Sequence, residues 1–231
     1  MKKTRHNNDP NFDLIIFDCD GVLVDSEVIS CRAHAETLIR HGYPITADQV
    51  LERFLGVSDR EARQTIENEL GRRLPDDFES QMKQAALACY ADDLTTIPHV
   101  GEAIAAIDLP KCVASSGTPE KIRHGLTLAG LYDLLAPHIF SASEVKHGKP
   151  APDLFLFAAE QMRAAPAHCL VIEDSLPGIA AAVAAGMPVL GFHGGSHCRP
   201  GHGDRLRAAG ANAIFDDMRQ LPGLIGRIGT S

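Results

Sequence analysis

Residues 12–27, FDLIIFDCDGVLVDSE, constrain this chain more than any other stretch. They open with a continuous apolar run, Leu14-Ile15-Ile16-Phe17, rich in the β-branched and aromatic residues of a buried strand. The run stops on two carboxylates, Asp18 and Asp20, followed by Gly21. A buried strand ending this way puts acids at the carboxyl edge of a sheet, where open α/β sheets keep their ligand sites. Two residues apart on extended backbone, Asp18 and Asp20 point the same way. Like charges that close repel unless a cation or a shared proton compensates. A divalent ion such as Mg²⁺, which takes a few carboxylates plus water and phosphate oxygens, meets that need. An EF-hand calcium loop does not fit, because Val22-Leu23-Val24 fills positions that would have to carry oxygen ligands. Taken alone, Asp-x-Asp-Gly also reads as a plain acidic turn.

The pattern after Glu27 is helical. Ser26 is placed to cap a helix with Val28, Ile29, Ala35, Leu38 and Ile39 on one face, stopping before Gly42 and Pro44. Thr46-x-x-Gln49 and Ser58-x-x-Glu61 are capping-box patterns, the second opening a helix with Ala62, Ile66 and Leu70 inward. A further helix is expected from Asp76 or Asp77 to about Ala91. Residues 27–94 therefore read as an all-helical insert. Strand–helix alternation then resumes. Lys111-Cys112-Val113-Ala114 is a strand ending in Ser115-Ser116-Gly117, and Thr118-Pro119 starts a helix running to Gly130. His138-Ile139-Phe140 is a weaker strand, and Pro152 starts a helix through Arg163. Cys169-Leu170-Val171-Ile172 again ends in acids, Glu173 and Asp174, before a helix that Ser175 caps and Gly186 and Pro188 terminate. Val189-Leu190-Gly191-Phe192 and an edge strand at Ala213-Ile214-Phe215 complete the set. Alternation of this kind means a Rossmann-like α/β fold, a parallel sheet flanked by crossover helices. The core is expected to comprise residues 12–26 and 95–231, the helical insert 27–94, and residues 1–11 read as a polar, disordered lead-in.

Composition excludes several classes. The net charge is −8 with no basic run, which argues against nucleic acid as a partner. No run is long and apolar enough to span a membrane, and the start lacks the apolar segment of a signal peptide. The six cysteines are scattered without a C-x-x-C pair, several within apolar strands, as reduced core residues of a cytoplasmic protein would be.

Asp18-x-Asp20-Gly21-Val22-Leu23-Val24-Asp25-Ser26 resembles the first motif of the haloacid dehalogenase superfamily of phosphohydrolases. Ser115 after the second strand, Lys149 in His147-Gly148-Lys149-Pro150 and the pair Glu173-Asp174 resemble its remaining motifs, so the likeness covers nearly the whole chain. It is closest to the β-phosphoglucomutase-like and phosphoglycolate-phosphatase-like branch with a helical cap. The resemblance implies that Asp18 is the nucleophile and forms an aspartyl-phosphate, and that Asp20 is the acid to the leaving alkoxide and then the base to water. It implies Mg²⁺ held by the carboxylates of Asp18 and Asp174 and the backbone carbonyl of Asp20, with Glu173 acting through water or by tuning Asp174. Ser115 and Lys149 would hold the transferring phosphoryl group, with Ser116 competing for the serine role. Asp25 reads as a structural or hinge residue.

Asp20 argues against dehalogenation, since expelling halide needs no acid two residues after the nucleophile. A β-phosphoglucomutase of this branch carries a cap histidine and an arginine at positions that here are Ser30 and Asp59, which favours hydrolysis over phosphosugar transfer. Arg53 and Arg60 flank the Gly56-Val57-Ser58 loop and could reach substrate or lie on a solvated helix surface. The expected function is therefore a Mg²⁺-dependent phosphatase acting on a small phosphate ester, a sugar or polyol phosphate. A phosphosugar mutase and a non-catalytic phosphometabolite-binding module are the alternatives. The cluster His193, His197, Cys198 and His202 invites a zinc site, although its spacing does not match the paired clusters of structural zinc.

Overall fold

The computed structural model describes residues 12–54, 57 and 59–228. The expected lead-in, residues 1–11, lies outside them, as do Gly56 and Ser58. In chain order the elements are β1 Leu14–Phe17, α1 Glu27–Arg40, α2 Ala47–Phe54, α3 Asp59–Leu70, α4 Phe78–Asp93 and α5 Val100–Ala105. There follow β2 Lys111–Ser115, α6 Pro119–Leu128, α7 Tyr132–Leu135, β3 Ile139–Ser141, α8 Asp153–Gln161, β4 Cys169–Glu173 and α9 Leu176–Ala184. The chain closes with β5 Val189–Phe192, α10 His202–Ala208, β6 Ala213–Phe215 and α11 Leu221–Ile228.

All six strands are parallel, in the order β3-β2-β1-β4-β5-β6. β1 lies in the middle and is wholly buried, which is why four consecutive apolar residues are needed there. Its side chains alternate: Ile15 and Phe17 join the cluster under α5, α6 and α11, whereas Leu14 and Ile16 join the one under α8 and α9. Two apolar layers thus clamp the sheet and fix its register. Phe17 pairs with Val113 on one side and Ile172 on the other. One residue further on, Asp18, Ala114 and Glu173 stand abreast at the carboxyl edge. That register brings residues more than 150 positions apart into one site.

The helices α1–α4 form the insertion, with a separate apolar cluster of Cys31, Ala35, Leu38, Tyr43, Ile45, Val50, Leu51, Ile66, Leu74 and Phe78. Thr46 and Gln49 make both bonds of the capping box, side chain to backbone in each direction. In α1 the expected apolar face is rotated. Val28 and Ile39 are exposed, while Ile29, Cys31, Ala33, Ala35 and Leu38 are buried. α1 packs between α2 and α4, so the outward stripe is Val28, Arg32, Glu36 and Ile39, spaced by three and four residues. The insertion leaves and rejoins the core at one place: Val24 bridges to Thr96, Asp25 N–H donates to Thr95 O, and Ile97 N–H donates to Leu23 O. No helix among the described residues is long and apolar enough to cross a membrane.

Candidate active site

The carboxyl ends of β1, β2 and β4 build the site. The Lys149 side chain, 4 % exposed, reaches in from the segment before α8 and donates to Asp18 Oδ1 at 2.7 Å and to Glu173 Oε1 at 2.6 Å. The Phe155 ring backs its ammonium at 4.9 Å. The second Glu173 oxygen accepts from Ser175 N–H and Oγ–H at 2.8 and 2.9 Å, so both of its oxygens are engaged. Ser175 also caps α9 by accepting from Gly178 N–H. Ser115 is buried and its Oγ accepts from Gly117 N–H at 3.0 Å, while Ser116 is exposed at the same edge.

Asp20 is turned toward the insertion. Ser26 Oγ–H donates to its Oδ1 at 2.5 Å and Lys121, from the first turn of α6, meets its Oδ2 at 2.9 Å. Ser26 therefore makes no side-chain cap to α1, contrary to expectation, because its hydroxyl is spent on Asp20. Lys121 also lies over the ring of Tyr90 from α4 at 5.9 Å, and Tyr90 shares a hydrogen bond with Ser30 of α1 at 3.1 Å. Asp25 accepts from Ser196 N–H and Oγ–H, a tether rather than a catalytic contact.

Asp18, Glu173 and Asp174 each bring a carboxylate oxygen within 4.8 Å of the others. Gly21 folds over them with φ +78°, and a Cβ there would come within 1.9 Å of Asp174 Oδ2. Only glycine keeps this cradle open. Three hard oxygen donors suit Mg²⁺ better than a thiophilic metal. His197, Cys198 and His202 also gather their ligand atoms within 4.8 Å. Three of their four imidazole nitrogens, however, are committed elsewhere, and His197 Nδ1 is buried without a hydrogen-bond partner among the described residues. His197 Nε2 meets Asp174 Oδ2 at 2.9 Å. His202 Nε2–H donates to Asp174 O at 2.6 Å, which leaves its Nδ1 to accept from Arg205 at 3.1 Å.

The chain is similar to known proteins. The model of the haloacid dehalogenase-like hydrolases matches residues 12–186. The chain is 32 % identical over 187 residues to the 6-phosphogluconate phosphatase of Escherichia coli, covering 80 % of this chain and 85 % of that one. Over 177 residues it is 30 % identical to the E. coli fructose-1-phosphate phosphatase YqaB, covering 75 % of this chain and 92 % of the relative. A haloacid dehalogenase-like protein of unknown function from Agrobacterium tumefaciens superimposes with a TM-score of 0.84 at 38 % identity, over 94 % of this chain and 99 % of the other. The chain belongs to the haloacid dehalogenase-like hydrolases.

As in any hydrolase of this family, what the site can do depends on how its charges are balanced. Burial raises the pKa of Asp18 well above the usual carboxylate range, and Lys149 only partly offsets it. Burial lifts Asp174 to about 6 in the same way, against the pull of His197. Left to itself Asp18 favours a proton, a sign that its surroundings are short of positive charge. Lys149, by contrast, is held charged: burial works against it, but Asp18 and Glu173 prevail and raise its pKa. At Asp20 the balance is reversed. Burial would raise its pKa, yet Lys121 and the Ser26 hydroxyl outweigh it and hold the group below its ordinary value. Glu27, half-buried at the start of α1, is pushed to about 7 by burial and by the charge of Asp20.

The structure thus brings Asp18, Asp20, Ser115, Ser116, Lys149, Glu173 and Asp174 to one sheet edge. It adds Ser26, Lys121 and His197, whose partnerships the sequence did not reveal. Arg53 is not turned to the site: it donates to Tyr43 Oη at 2.8 Å and to Glu69 at 2.6 Å inside the insertion. Arg60 is exposed.

Proposed function

We propose that this protein is a Mg²⁺-dependent phosphatase that hydrolyses a small phosphorylated metabolite, a sugar or polyol phosphate, through an aspartyl-phosphate on Asp18. The observation that carries this reading is Lys149, buried between Asp18 and Glu173 with Asp174 alongside: an ammonium and three carboxylates gathered at one point of the sheet edge. The carboxylates of Asp18 and Asp174 and the carbonyl of Asp20 would hold Mg²⁺, with Glu173 acting through water or by orienting its neighbours. The ion supplies neutralisation of the phosphoryl oxygens.

Among the described residues the Asp18 carboxylate makes its one hydrogen bond through Oδ1, so Oδ2 is the oxygen available to attack phosphorus. Lys149 uses two of its three N–H donors on carboxylates and has one for a phosphoryl oxygen. The Ser115 hydroxyl, whose oxygen accepts from Gly117, keeps its own proton to donate to another, and exposed Ser116 lies beside it. Attack by Asp18 forms the acyl-phosphate bond and breaks the ester P–O bond, and the leaving oxygen takes a proton from Asp20. Asp20, now ionised, takes a proton from water as that water attacks phosphorus. Asp18 is released as a carboxylate, and the products are phosphate and an alcohol. At rest Lys121 and Ser26 hold Asp20 in the ionised form that serves the second half. An incoming phosphate dianion raises the pKa of Asp20 and favours the protonated form that the first half requires.

Hydrolysis rather than mutase chemistry is supported by the insertion: Ser30, where a mutase of this branch carries histidine, is bonded to Tyr90. A carbohydrate substrate is supported by the two curated relatives, whose names are those of sugar-phosphate phosphatases. Release of phosphate from a panel of phosphomonoesters, including a generic aryl phosphate, tests the reading with and without Mg²⁺. Turnover should require Mg²⁺, and D18N should lower it about 10⁴-fold or more while the protein stays folded. An inactive wild type, or an active D18N, would overturn it.

A further inference from the structure

The loop between β5 and α10 is anchored to the end of β6 and to the side chain of Asp25. Its first residue, His193, donates N–H to Phe215 O at the end of β6. Ser196 grips Asp25 through both its N–H and its hydroxyl. Between these anchors Gly195 allows a close approach: a Cβ there would fall 2.8 Å from His197 Nδ1 and Cε1. His197 is buried, with Nε2 on Asp174 Oδ2 at 2.9 Å. His202 stands edge-on to it, ring centroids 5.9 Å apart, and binds the backbone oxygen of the same aspartate. Two imidazoles, His197 from the loop and His202 from the first position of α10, thus hold Asp174 at its side chain and at its main chain.

We propose that this loop is a carboxylate clamp in which His197 is a positioning residue. It takes one oxygen of Asp174 so that the other faces Asp18, Glu173 and the divalent ion. The inference rests on the Mg²⁺ site proposed above and deepens it. Three features favour it over a second, thiophilic metal site on the same residues. His202 has both nitrogens engaged and no lone pair to offer. Nε2 of His197 is likewise committed to Asp174, and its partnerless Nδ1 is buried against Gly195. Cys198 meets that nitrogen only at 3.4 Å and is partly exposed, at the margin of the cluster. A histidine behind a metal-binding carboxylate fixes its rotamer before the ion arrives, so less ordering is left to accompany binding.

The test is binding of Mn²⁺ to the full chain without substrate, followed by the electron paramagnetic resonance of the free ion. Removing a buried ring leaves a void, so H197M fills the space without a donor and H197Q keeps an N–H able to reach Asp174. H197M should weaken Mn²⁺ binding roughly ten- to a hundredfold, H197Q should recover most of that loss, and C198S should bind as the wild type does. A purely structural role would lower the melting temperature of H197M and leave the Mn²⁺ affinity of the folded protein unchanged, which would overturn the clamp alone. Stoichiometric Zn²⁺ binding lost in C198S would also overturn it. A wild type that binds no Mn²⁺ would remove the metal site together with the clamp.

Discussion

The sheet edge and the helical insertion use charge in opposite ways. At the edge, Lys149, Asp18 and Glu173 are joined across 131 and 24 positions of chain, and their side chains are at most 10 % exposed. In the insertion, Arg32 pairs with Asp93 and Arg53 with Glu69, all four side chains 38–51 % exposed. Water screens the second kind of pair, so it contributes little. The first kind sits where charge is poorly screened, so each group sets the state of its neighbours. One region concentrates chemistry, and the other offers a surface that can change at small cost.

Three substitutions probe that contrast, from the largest effect down. K149M leaves two buried carboxylates without their common cation. It should cost about 3–5 kcal/mol in urea unfolding and lower kcat about 10²–10³-fold at saturating Mg²⁺. A variant as stable and active as the wild type would erase the distinction between the two regions. K121M tests the seam between them. Without the ammonium, the pKa of Asp20 rises, because the charge that held it down is gone. Water activation needs Asp20 ionised, so the acid limb of the kcat–pH profile should move to higher pH. An unmoved limb would remove Lys121 from the control of Asp20. R32A, in the insertion, should shift the melting temperature by no more than about 2 °C and leave kcat and KM unchanged. A larger shift would show that surface charge matters as much there as it does in the core.

The parts legible in the sequence are those written in consecutive residues. β1 and β4 are apolar runs that stop on acids, Thr118 caps α6 and Ser175 caps α9, and the Thr46–Gln49 box is complete. The short helices α5, α7, α10 and α11 were not legible, since four to eight residues carry too little periodicity to separate them from loops. Val28 and Ile39 misled because apolarity does not say which side of α1 its neighbours occupy. The convergence of Asp18, Ser115 and Asp174 could be expected from strand ends in a parallel sheet, whereas Lys149, in the segment before α8, was legible only through the family resemblance. The pairing of Lys121 with Asp20, 101 positions away, has no local signature, nor has the turning of His197 onto Asp174. Ser26 is the instructive case: the residue type and position suit a helix cap, yet a nearby carboxylate outbids the helix for its hydroxyl.

The double crossing at Val24 and Thr96 makes the four-helix module a pendant, hung from the sheet by two adjacent threads. Such a pendant can be exchanged, lengthened or trimmed without rethreading a strand. A lineage built on this plan can revise the helical module while the sheet and the side chains at its carboxyl edge stay as they were.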